Sequence, residues 1–125
     1  MEPIELRRYL RVITLLWFAL LILGSIQSAR PSAISPFHSE IHWIAFGVGT
    51  GLLLLVSRRR LQQALSALAV LVLAVSIEFL QHLIYRSAIE WRDVRDDALA
   101  ILATILLYAL LSDIRKGLKP SDDPA

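Results

Sequence analysis

Apolar residues fall along this chain in four long blocks, each bounded by charged positions. Residues 12–29 give 18 uncharged positions between Arg11 and Arg30, and residues 41–57 give 17 between Glu40 and Arg58. Residues 61–77 give another 17, and past the single Glu78 the apolar stretch runs on to Tyr85. Residues 98–112 give 15 between Asp97 and Asp113. A hydrocarbon core about 30 Å thick takes roughly 20 helical residues at about 1.5 Å each. The blocks therefore predict four transmembrane helices over 10–27, 41–57, 61–85 and 93–112, with polar residues drawn into the ends of the last three. A soluble four-helix bundle would show a polar stripe at each turn. Leu15-Leu16-Trp17-Phe18-Ala19-Leu20 and Leu52-Leu53-Leu54-Leu55-Val56 are apolar all round. The expected fold is an all-α, polytopic membrane protein, an antiparallel four-helix bundle forming a single domain over 1–117, with 118–125 a disordered cytoplasmic tail.

Composition agrees. Of 125 residues, 56% are hydrophobic and 19% charged, with a mean hydropathy of +0.59. A soluble domain of this size keeps too much surface in water to hide such a surplus. The absence of cysteine removes disulfide frameworks, thiolate metal sites and cysteine nucleophiles together. There is no repeat of fixed period, no phosphate-cradling glycine loop, no Gly-x-Ser-x-Gly elbow and no dinucleotide fingerprint. Four spans without repeated halves also disfavour a transporter.

A pI near 9.4 invites a nucleic-acid reading, but the placement of the basic residues opposes it. Arg7, Arg8 and Arg11, the loop Arg58-Arg59-Arg60, and Arg115, Lys116 and Lys119 put nine on one side; Arg30, Arg86, Arg92 and Arg95 put four on the other. The positive-inside rule makes both termini and the triple-Arg loop cytoplasmic. The arginines are topology signals, and no nucleic-acid partner is expected. The acids Glu40, Glu78, Glu90, Asp93, Asp96 and Asp97 gather on the opposite, outer side. Arg7, Arg8 and Arg11 before an apolar run also resemble a secretory leader. Gln27, three before a cut after Ala29, and the length of the run oppose cleavage, so the first helix is read as a retained span.

The prolines of Arg30-Pro31-Ser32-Ala33-Ile34-Ser35-Pro36 make a loop. Ser57 to Arg60 reads as a tight turn, so helices two and three are antiparallel neighbours. Gly47, Gly49 and Gly51 mark either a close helix contact or a bend. Helix one, with only Thr14, Gly24 and Ser25 as polar or small interior features, reads as an apolar flank.

Candidate chemistry lies at one depth. Counting fourteen positions outward from Val56, Ala64 and Leu111 reaches His42, Glu78 and Asp97, about 21 Å along each helix. Glu78, Gln81, His82 and Tyr85 share one helical face by their i, i+3, i+4, i+7 spacing, as do Asp93, Asp96, Asp97 and Ala100. Ionisable side chains within a membrane normally face the bundle interior and pair. The expected cluster joins Glu78, His42, Asp97, Asp93, Gln81 and Arg86, with Arg92 and His82 as further binding candidates. Asp96 reads as a helix amino-terminal acid favoured by the macrodipole. Glu90, Arg92 and Arg95 read as a solvated loop of mutual ion pairs, and Tyr85 and Trp91 as interfacial anchors.

Glu78-Phe-Leu-Gln81, Arg86, and Trp91-Arg92-Asp93-Val94-Arg95-Asp96-Asp97-Ala98-Leu99 resemble the signature of the VanZ-like family of small bacterial membrane proteins. His42, followed by an aromatic and Ala45-Phe46, resembles that family's helix-two histidine. His38-Ser39 stand where the family usually has Asp-Lys, Asp97 where Asn is common, and Ala100 and Thr104 where Gly is common. The resemblance spans roughly residues 37–108. It implies a multi-pass protein of the bacterial inner membrane and a link to glycopeptide (teicoplanin) resistance.

Two classes of function fit these residues. In one, an outward-facing polar pocket binds or modifies an envelope component, such as a lipid headgroup or lipid-linked precursor. Glu78 or Asp97 would then act as general base beside His42, with Arg86 and Arg92 holding an anionic group. In the other, the protein is a non-catalytic accessory or assembly subunit and the same residues are internal ion-pair glue. His42, Glu78, His82 and Asp97 have no tight metal-ligand spacing, so neither a metal nor a cofactor is expected. Membrane lipids are the expected partners, and a homo-oligomer is compatible with the sequence.

Overall fold

The structure, a computed structural model, describes residues 3–27 and 38–118. It contains four helices: α1 (Pro3–Gln27), α2 (His38–Val56), α3 (Arg60–Tyr85) and α4 (Trp91–Gly117). All four are long and apolar enough to cross a membrane, and no strand occurs among the described residues. The chain is an all-α, multi-pass membrane protein. Leucines and isoleucines on every helix face outward, as expected of a bundle whose surroundings are lipid. The inferred tail over 118–125 lies, beyond Leu118, outside the described residues, as does the proline loop.

The elements run longer than the charge-free blocks. The first helix begins at Pro3, seven residues before the expected start, and carries Arg7, Arg8 and Arg11 within it. Proline suits the first helical position because its missing N–H has no intrahelical partner there. The last helix passes Asp113 and ends at Gly117. A charge marks where the hydrocarbon stops, and a helix can continue into the headgroup layer. Arg92 and Arg95, expected in a solvated loop, lie in the first turns of α4, and Arg95 pairs with Asp96.

The turn between α2 and α3 is short. Ser57 donates to the Leu53 carbonyl and meets Ser66 at 3.1 Å. Gln62 Oε1 accepts the Arg58 and Arg59 backbone N–H groups at 3.0 and 3.2 Å, satisfying donors at the start of α3. The connection over 86–90 turns at Arg86, whose φ of 50° is left-handed.

Packing is uneven. The closest pair is α2 with α4; α3 packs on both, and α1 leans on α2 and more lightly on α3 while staying apart from α4. Phe46, Val70, Ala74, Ile77, Ala100 and Ile101 form the centre, with Leu21 from α1. The glycines of α2 explain the close approach. A Cβ on Gly47 would sit 3.4 Å from Thr104 Oγ1, and one on Gly51 3.7 Å from Thr104 Cγ2, so this edge faces α4. Gly49 turns towards α1, where a Cβ would meet Phe18 Cζ at 3.0 Å. Because α2 runs unbroken from His38 to Val56, these glycines serve helix contact.

The first helix is more than a flank. Trp17 Nε1 donates to the Ala45 carbonyl at 2.9 Å. Its carbonyls at Ser25 and Ile26 accept from Gln81 Nε2, at 2.7 Å, and from the Tyr85 hydroxyl.

Candidate functional site

Antiparallel packing gathers charge at two ends. The basic end holds the start of α1, the α2–α3 turn and the end of α4; the acidic end holds the starts of α2 and α4 and the end of α3. At the acidic end, the spacing of Asp93, Asp96 and Asp97 turns all three inward, and all three are buried together with Ala100. Opposite them, α2 presents Ser39 and His42, one helical turn apart on one face.

The site is centred on His42. Its Nδ1 lies 2.8 Å from Asp97 Oδ1, and its Nε2 lies 3.7 Å from Asp93 Oδ2. The ring stacks on that of Phe46 one turn on, with centroids 6.2 Å apart and planes 21° from parallel. Asp97 is only 1% exposed, so it is a fixed acceptor that orients the imidazole. Glu78 enters from α3, also buried at 4% exposure, within electrostatic reach of both Asp93 and His42. The backbone of Glu90, at the head of α4, faces its carboxylate. Three helices thus bring a histidine and three carboxylates together.

One turn further out, Ser39 Oγ donates to Asp96 Oδ2 at 2.8 Å, and Arg95 donates through Nε and Nη2 to Asp96 Oδ1 at 3.1 and 2.8 Å. Asp96 lies near the start of α4, as expected, but it is buried and also bridged to α2. Neither Ser39 nor Asp96 stands out in the sequence. Ser39 lies three residues before His42 and so shares its helical face, and that spacing is the only signal.

The remaining candidates divide. Gln81, expected in the cluster, donates instead to the Ser25 carbonyl on α1. His82 Nδ1 meets the Ser87 carbonyl in the adjoining connection, and its ring lies 6.3 Å from that of Phe79. Arg86 is exposed at the end of α3, and no ion pair among the described residues includes it. Arg92 is exposed in the first turn of α4, within electrostatic range of Asp96. The polar face of α3 thus splits three ways: Glu78 towards α2 and α4, Gln81 and Tyr85 towards α1, His82 towards its own connection.

Chemically, the cluster can hold and pass a proton. Asp97 engages one imidazole nitrogen, and the other faces Asp93. Among the described residues no group of three His, Asp or Glu side chains has metal-binding geometry. No family model, curated protein or solved structure matches the chain.

Proposed function

We propose that the chain is a VanZ-like protein of the bacterial inner membrane, with both termini cytoplasmic, whose polar cluster opens outward and binds or modifies a cell-envelope component. The observation that carries this reading is the His42–Asp97 pair beside Glu78, a half-buried histidine and two buried carboxylates brought together from three helices. Such groups are expensive in a membrane and are usually retained for function. The ligand class is a lipid headgroup or lipid-linked precursor. The exposed Arg86 and Arg92 supply guanidinium groups for its phosphate or carboxylate. In a modifying reaction Asp97 orients the ring, His42 moves a proton through Nε2, and Glu78 is the second base. Glycopeptide tolerance is the phenotype this role would affect.

The accessory-subunit reading has its own observation. Ser39–Asp96 and His42–Asp97 both bridge α2 to α4, the closest pair in the bundle, as internal glue would.

Glu78→Gln separates the two, because it keeps size and hydrogen bonding while removing the charge. With equal amounts in the membrane, the proposal expects wild type to alter teicoplanin tolerance or the lipid-linked precursor profile, and Glu78→Gln to lose that effect. Equal effects for wild type and Glu78→Gln, with only Glu78→Leu disturbing assembly, would favour glue. Orientation is read separately. With no native cysteine, Ser87→Cys should label from outside intact cells and Ser57→Cys should not. The opposite pattern overturns the topology.

A further inference from the structure

At the basic end, where α1 and α4 stay apart, the bundle contains a cleft of about 600 Å³ lined by Ile4, Arg7, Leu55, Ser57, Arg58, Gln63 and Tyr108. Its chemistry is one-sided. Two arginines line it and no acid does. Arg7 Nη1 is buried and has no hydrogen-bond partner among the described residues. A guanidinium has five donors and no acceptor, so a buried, unanswered N–H calls for an acceptor, and beside a second arginine with no acid in the lining an anion suits it best. Tyr108 accepts from Gln63 Nε2 at 3.2 Å, which leaves the phenolic proton to donate elsewhere. Ile4 and Leu55 add an apolar wall beside these donors. The volume is that of a small-molecule site and far exceeds a water molecule.

We infer that this cleft binds a phosphate group, with Arg7 as the principal contact, Tyr108 as a second donor and Arg58 at the mouth. It is a site separate from the His42 cluster, at the opposite end of the bundle. Basic pockets between transmembrane helices suit the headgroups of anionic phospholipids. An aqueous phosphate offers the same oxygens without an acyl chain for the apolar wall.

The test uses the full chain purified in detergent and challenged with phosphatidylglycerol or phosphatidylcholine, retained lipid being counted by native mass spectrometry. Wild type should retain one phosphatidylglycerol about tenfold more tightly than phosphatidylcholine, and Arg7→Gln should lose that preference. Arg11→Gln removes the same charge one turn along α1, outside the cleft, and should keep it. Tyr108→Phe leaves every charge in place and should weaken retention about threefold, which reads the site even where Arg7→Gln does not fold. Displacement of the lipid by inorganic phosphate would identify the headgroup oxygens as sufficient; retention through excess phosphate would identify the whole lipid as the ligand. Equal loss in Arg7→Gln and Arg11→Gln, no loss in Tyr108→Phe, or no preference in wild type would overturn the inference.

Discussion

The two ends of the bundle treat charge in opposite ways. At the acidic end, buried carboxylates of α4 are answered from α2, Asp97 by His42 and Asp96 by Ser39, with Arg95 of α4 itself adding to Asp96. At the basic end, Arg7 reaches into a cleft and finds no partner among the described residues. The difference follows the packing. Contact between α2 and α4 is close enough to complete a polar network, whereas α1 and α4 leave an open seam. The hydrogen bonds of the acidic end join α2 to α4, whereas the Arg7 donor joins no helix to another.

Breaking the closed end should have the largest effect. Asp97→Ala leaves the His42 imidazole without its acceptor and should cost about 1–3 kcal/mol, read as a lower unfolding midpoint in a detergent titration. The coupling between Asp97→Ala and His42→Ala in a double-mutant cycle should exceed that of either with Arg7→Gln, since the latter lies at the far end. Next is the glycine edge. Gly47→Leu drives a branched side chain against Thr104 and should destabilise by about 1–3 kcal/mol, while Gly47→Ala, at ordinary contact distance, should be nearly neutral by the same assay. Smaller again is Gln81→Leu, which removes one bond to α1 and should cost about 0.6 kcal/mol, the scale typical of interhelical hydrogen bonds in membranes. Smallest is Leu20→Ala on the lipid face of α1, where the side chain is 68% exposed, with an expected change within about 0.5 kcal/mol. A large loss at Leu20 would mean that a second copy of the chain, and not lipid, covers that face.

The helices were legible because apolar blocks without a polar stripe admit few other structures. Their ends were not. Charge-free counting stops at Arg11, and nothing in a membrane requires the helix to stop there. Depth counting found His42, Glu78 and Asp97 because charge within an apolar block is conspicuous. It missed Ser39–Asp96, where a serine near a predicted helix start looks ordinary. It also missed the acceptors on α1, because a backbone carbonyl leaves no mark in a sequence. That absence sent Gln81 to the wrong partner. The isolation of Arg7 was equally hidden, since a missing partner is a property of the whole packing.

The three-residue connection over 57–59 bears on how the protein is made as well as how it stands. So short a link ties α2 and α3 into one antiparallel hairpin, a unit suited to entering a bilayer together. Glu78 and His42 sit on the far half of that hairpin, within electrostatic reach of each other. Inserted as a hairpin, they would enter the bilayer as a pair, so that neither charge is buried alone. On such a route α4, which follows α3 in the chain, would bring Asp93 and Asp97 to a histidine already in place.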